Sequence, residues 1–124
     1  MSMNRTEKAV ELKHNGHNCC QAVLAAYADE IGITAKTAKR LGAGLGLGMG
    51  GMEGTCGALC GAEMVLGMRI YSGKPILKDA KALHNGFKEL CGDTICKTLK
   101  GVETGKVLCS CDDCVRNAVR LLEE

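Results

Sequence analysis

Nine cysteines stand in this chain of 124 residues, and their thiols are the side chains here best suited to chemistry. In a secreted chain that density suggests a disulfide scaffold, whereas in a reducing compartment it points to metal binding or redox work. An odd number cannot pair completely within one chain, which argues against a purely structural disulfide framework. Four of the nine share a setting. Cys19 follows Asn18, Cys56 follows Thr55, Cys111 follows Ser110, and Cys96 stands two residues after Thr94. Asn, Thr and Ser are preferred helix N-caps, so each of these thiols is expected in the first turn of a helix. The partial positive charge there stabilises thiolate, and the unpaired N–H groups accept negative charge. Anionic thiolates around iron need such an environment, and hydrogen bonds to their sulfurs help set the potential.

The remaining thiols leave alternatives open. Cys56 and Cys60 are one helical turn apart and face the same way, so both could ligate, or Cys60 could be core. Cys111 and Cys114 form C-x-x-C at a helix start, the arrangement of a redox dithiol, without the βαβ context that usually accompanies it. Cys109 precedes the Ser110 cap, close enough to join a second ligand set. Cys20 points to a different face from Cys19, and one of the two is expected to pack. Cys91 reads as a buried helix-end residue. His17 could complete a Cys₃His zinc site. Glu53 and Glu63 flank the central cysteine and are expected in solvated or capping roles. Val115 follows Cys114, so there is no C-x-x-C-H and covalent haem is not expected. The glycines follow no strand and no Walker-type Lys is present, which excludes a nucleotide fingerprint.

The elements that must position these thiols are helical. Seven glycines fall between Gly42 and Gly54, and an apolar run follows, capped by Thr55, with Ala58, Leu59, Ala62, Val65 and Leu66 spaced as one buried face toward Ile70. A Gly-dense segment ending in a helix start allows positive φ and close approach of backbone to the group sited there. Before it, Met1 to Lys13 reads as an amphipathic helix rather than a secretory leader. Asn18 caps a strong helix that Gly32 ends, and Thr34 caps a short one through Leu41. After it, Ile76 to Leu90 forms a helix with Gly86 inside. Asp93 or Thr94 caps a short segment with Cys96 and Leu99 that Gly101 closes. Val102 to Leu108 is irregular, with room for a short extended piece, and Ser110 caps a last helix from Cys111 to Leu122. The fold class is all-α: a small bundle of about six helices with a Gly-rich loop before the central helix, in a single Cys-rich domain, residues 1–124.

Composition bounds the rest. Aromatic residues make up only 2% against 46% hydrophobic residues, so the core is expected to be aliphatic and Met-filled. So small and Gly-rich a core invites a metal staple or a partner subunit, and a homodimer is expected. The net charge of +2, with dispersed basic residues, leaves no nucleic-acid footprint. Glu53 and Glu63 interrupt the apolar stretch Leu41 to Met68, so no membrane span is expected, and a cytoplasmic location follows.

The cysteine pattern resembles that of the redox-active family labelled C_GCAxxG_C_C. Asn18-Cys19-Cys20-Gln21-Ala22 is similar to its first Cys and following helix. Gly51 to Gly61, centred on Thr55-Cys56-Gly57-Ala58, with Met64 and Leu66-Gly67, resembles its central Gly-Cys block. Cys96 through Gly101 resembles its third element, and Cys111 with Val115 and Ala118 its fourth. The resemblance runs from about Asn18 to Leu122 and implies redox activity. It further implies that Cys19, Cys56, Cys96 and Cys111 act as one set, since similar domains attached to haem segments in some cytochromes place four such cysteines around an iron–sulfur-like centre.

The expectation is therefore an iron–sulfur cluster bound through Cys19, Cys56, Cys96 and Cys111, with Cys60, Cys109 and Cys114 as further candidate ligands. It would serve electron transfer or cluster-based redox chemistry with a redox partner protein. Zinc on four of the same thiols is one alternative. The other is metal-free thiol–disulfide or sulfur-transfer chemistry on Cys111/Cys114 or Cys56/Cys60.

Overall fold

The computed structural model describes residues 4–124, so the first three residues of the expected N-terminal helix lie outside the described residues. The described chain forms eight right-handed helices: α1 Arg5–His14, α2 Cys19–Ala26, α3 Ala28–Ile31, α4 Ala35–Gly42, α5 Gly57–Ile70, α6 Leu77–Cys91, α7 Cys96–Lys100 and α8 Cys111–Glu123. Between α4 and α5 the segment Gly46–Met49 makes one tight turn of the opposite hand, with φ of 54° at Leu47 and 60° at Gly48. No strand forms among the described residues; Thr55 and Ile95 make one isolated antiparallel bridge. The all-α expectation is met, with more and shorter helices than periodicity alone marks.

Helix α2 is the hub. Cys20, Ala22, Val23, Leu24 and Ala26 are buried, and the helix packs against α1, α4, α5 and α8. Its start is fixed by a full capping box: Asn18 Oδ1 accepts the Gln21 N–H, and Gln21 Oε1 accepts the Asn18 N–H, both at 2.8 Å. Asn18 Nδ2 also donates to the Gly42 carbonyl at 3.0 Å, which ties the end of α4 to the start of α2. Helix α5 reaches α2 through its small residues. A Cβ on Gly61 would lie 3.0 Å from both the Cys20 carbonyl oxygen and Val23 Cβ, so the two helices pack at a distance only glycine permits.

The core is not Met-filled. Met49 and Met68 are each 58% exposed, while the rings of Tyr27 and Phe87 are fully buried. Close Gly/Ala packing between α2 and α5 leaves no irregular gap for a flexible thioether, and the two large rings fill the wider spaces instead. Tyr27 sits between the guanidinium groups of Arg5 and Arg69, at 4.7 and 5.1 Å from its ring centre, and its hydroxyl donates to Glu123 at 3.0 Å. Arg69 also pairs with Glu30 at 2.6 Å and donates to the Leu122 carbonyl at 2.7 Å, joining α3, α5 and α8. No helix among the described residues is long and apolar enough to cross a membrane. The irregular stretch after Gly101 stays irregular and holds no extended piece.

Candidate functional site

The helix starts carry the thiols. Cys19 and Cys111 are the first residues of α2 and α8, behind Asn18 and Ser110, and Ser110 Oγ accepts the Asp113 N–H at 3.1 Å. Cys96 is the first residue of α7, but Ile95 occupies its cap position and offers no side-chain bond. Asp93 instead accepts the Thr94 and Ile95 N–H groups at 2.6 and 3.1 Å. Cys56 departs from expectation. It is itself the cap of α5, and Thr55 lies outside the helix. Its thiol makes no side-chain cap bond, although the nearby Ala58 and Leu59 N–H groups favour its anionic form.

Backbone bonds bring these starts together. The Cys56 N–H donates to the Thr94 carbonyl at 2.8 Å, the Cys96 N–H to Gly54 at 3.0 Å, and the Lys97 N–H to Met52 at 2.8 Å. The glycine segment is thereby folded onto the start of α7. At Gly48, with φ of 60°, a Cβ would lie 2.6 Å from Cys96 Cβ, so this position admits glycine alone. Leu47, Met49 and Met52 also hold positive φ, each at a cost of about 1–2 kcal/mol for a residue with a Cβ. Such strain persists only where surrounding structure enforces it.

These pieces enclose one cavity of about 30 Å³, lined by Cys19, Cys56, Cys96 and Cys111, with Cys109 and Cys114 in its wall and Lys100 at its edge. Cys56, Cys96, Cys109 and Cys114 are buried; Cys19 and Cys111 are half-buried. Cys56 and Cys111 are drawn below the ordinary thiol value, whereas Cys19, Cys96, Cys109 and Cys114 are raised above it. The Cys111 thiol is drawn down to about 5, first by a hydrogen bond from Cys19 and then by Lys100, whose Nζ lies 2.8 Å from its sulfur. Cys19, as the donor, is pushed up. Cys56 is lowered by a bond from Cys114 and by its two backbone donors. Cys114 is pushed up by the neighbouring Cys56 and Cys91 sulfurs, and its thiol donates to the Cys109 carbonyl at 3.8 Å. Burial raises Cys96.

A second group lies behind the cavity. The sulfurs of Cys91, Cys109 and Cys114 all fall within 4.8 Å of one another, and the three are buried. This triad could hold a metal ion. It is the one such group among the described residues, so no three of the four helix-start thiols are gathered as tightly. Cys91 is drawn down to about 6 by bonds from Cys114 and then Asn117, whereas burial pushes Cys109 up to about 12. The sequence reading of Cys91 as a helix-end residue is correct as to place, since it closes α6 before Gly92, but it missed the company Cys91 keeps. No spacing signal links Cys91 to Cys114; only the packing of α6 on α8 does.

The other candidates separate from this centre. Cys60 is half-buried and its thiol faces the Thr55 carbonyl at 3.9 Å, with its pKa raised mainly by burial. Cys20 lies in the core and burial lifts it to about 12. The His17 ring faces the Asn15 carbonyl at 3.3 Å. Glu53 is a surface partner of Lys97 at 3.9 Å. Glu63 is half-buried: its Oε1 is buried without a hydrogen-bond partner, and burial raises its pKa. In the C-x-x-C pair the two sulfurs have different company, Cys111 with Cys19 and Lys100, and Cys114 with Cys56, Cys91 and Cys109.

A family model described as "Putative redox-active protein (C_GCAxxG_C_C)" matches residues 17–124. No curated protein and no solved structure matches the chain. With nearly the whole chain matched, it belongs to the C_GCAxxG_C_C family.

Proposed function

We propose that this member of the C_GCAxxG_C_C family is a redox protein that binds an iron–sulfur cluster through Cys19, Cys56, Cys96 and Cys111. The observation that carries the reading is the convergence of these four thiols, from four distant segments, on one cavity. Four sulfurs about one tetrahedral zinc, with bonds of ~2.3 Å, sit ~3.8 Å apart, whereas no three of these four are gathered within 4.8 Å, and a looser set suits a centre of more than one metal atom. The donor set fits in type, number and charge: soft thiols, backbone N–H groups near Cys56, and an ammonium beside Cys111. In size it is tight, about 30 Å³, so loading requires the four side chains to rotate outward.

When bound, such a cluster takes up and releases one electron at a time. The chain's part is to hold and tune it. Lys100 offsets thiolate charge at Cys111, the backbone N–H groups at the α5 start favour thiolate at Cys56, and Leu47 and Leu99 give the cavity an apolar wall. Electrons would pass to and from a redox partner protein in the cytoplasm. The exposed apolar side chains Leu41, Met68 and Tyr71 border a groove of about 450 Å³, which supports a homodimer joined there.

Protein purified without oxygen from iron-replete cells is expected to be brown, with iron and acid-labile sulfide in equal amounts. Cys56→Ser should lose most of both. Colourless, iron-free wild-type protein from such cells would sink the reading. Zinc alone would turn it into a structural module.

A further inference from the structure

We propose that Cys91, Cys109 and Cys114 form a second, mononuclear site that holds a soft d¹⁰ cation in three-coordinate thiolate ligation, with copper(I) the ion it suits best. The three sulfurs come from three places in the fold: the last residue of α6, the loop before α8 and the first turn of α8. All lie within 4.8 Å of one another. Three thiolates around one ion at bonds of ~2.3 Å sit ~4.0 Å apart, so the observed set needs to close by less than an ångström. No imidazole or carboxylate completes the group among the described residues. A structural zinc site calls for four ligands. Thiolate donors select copper(I) among the softer ions, and three of them satisfy it.

Asn117 supplies a second argument. Its Nδ2 lies 3.3 Å from the Cys91 sulfur and 3.9 Å from the Cys109 sulfur. Its carbonyl faces Arg120 at 3.5 Å, which fixes the amide with its N–H groups toward sulfur. An N–H donor shared between two sulfurs steadies the negative charge they carry as ligands. There is also a route in. Cys109 and Asn117 line a polar cleft of about 520 Å³ together with Arg116 and Arg120. Asp113 also lines the cleft and pairs with Arg116 at 2.9 Å, which leaves Arg120 to offset part of the net negative charge of three thiolates around a monovalent ion. The thiol protons leave to solvent on binding, and no electron is transferred.

Cys109 and Cys114 also stand in the wall of the four-thiol cavity, so the site is tested through Cys91, which lies outside that cavity. The test is an anaerobic titration of the full chain with copper(I) against a chromophoric copper(I) chelator. Wild type should retain one more tightly held copper than Cys91→Ser, while Cys60→Ser should match wild type. Copper-edge X-ray absorption should report three sulfur neighbours for the added ion. Asn117→Leu, which keeps all three thiols, should weaken that ion roughly 10- to 100-fold, and it decides the matter if Cys91→Ser loses its helical circular dichroism. Equal copper uptake by wild type and Cys91→Ser, unchanged affinity in Asn117→Leu, or a zinc ion that excess copper(I) does not displace would each overturn the proposal. Iron content is read on the same samples, and Cys91→Ser should keep that of wild type, so failure of one site is distinguishable from failure of the other.

Discussion

Lys100 and Cys111 meet at 2.8 Å at the edge of the thiol cavity, and that contact makes a prediction about metal-free protein. The Cys111 pKa of about 5 depends first on Cys19 and then on Lys100. Its folded value lies below the unfolded one, so the stability it contributes is present above the unfolded pKa of about 9 and is lost as pH falls through about 5. Alkylation of Cys111, followed by peptide mass spectrometry, should therefore persist down to about pH 5. In Lys100→Met the midpoint should rise by about one to two pH units. An unmoved midpoint would mean that Lys100 does not tune the thiolate. Glu63 runs the other way. Burial raises its pKa and its Oε1 has no partner, so folding disfavours its charged form. The penalty is full above the folded pKa and disappears below the ordinary value of 4.5. Glu63→Gln should be more stable than wild type at pH 7 by on the order of 1 kcal/mol, and the gain should vanish in denaturant titrations near pH 4. A gain that persisted at pH 4 would need another cause.

At the scale of elements, the left-handed turn at Gly46–Met49 and the single bridge between Thr55 and Ile95 set the site. The starts of α5 and α7 would otherwise have no reason to meet. Gly48 is the tightest test of this. A Cβ there meets Cys96 Cβ at 2.6 Å and sits at a φ of +60°. Gly48→Ala should lower stability by on the order of 2–3 kcal/mol through both effects, and iron loading should drop with it. Thermal unfolding and iron assay on one preparation check both. Full iron content with unchanged stability would show that the segment gives way freely, and that the strain at Leu47 and Met49 has no part in holding Cys96 in place.

For the whole molecule, the question is what covers the groove beside Leu41, Met68 and Tyr71. Leu24, Ile31 and Met64 form its floor, so α2, α3 and α5 leave an apolar face open on a domain of 124 residues. Sedimentation equilibrium at micromolar concentration should give the mass of two chains, and Met68→Glu should return it to one by placing a charge in the joint. A wild-type chain that sediments as a monomer would remove the dimer reading and leave the cavity untouched, since none of its lining residues borders the groove.

Local chemistry was legible in the sequence wherever one residue decides it. Asn18, Thr34, Ser110, Gly32 and Gly101 punctuate helices because a side-chain oxygen or a missing Cβ acts within a turn of itself. Periodicity likewise marked α5, and the Cys-Gly pattern marked the family. What the sequence misplaced, or could not give, depends on contacts far along the chain. Cys56 became the cap of α5 because Thr55 was drawn into a bridge with Ile95. Tyr27 rather than methionine fills the core because two arginines from α1 and α5 enclose it. Cys91 joined Cys109 and Cys114 because α6 packs on α8. Helix propensity and capping are local free energies, so the sequence by itself determined the all-α class and that Cys19, Cys96 and Cys111 begin helices. The grouping of seven of the nine thiols into a four-sided cavity and an adjoining triad arises from burial shared among distant segments, and only the tertiary structure decided it.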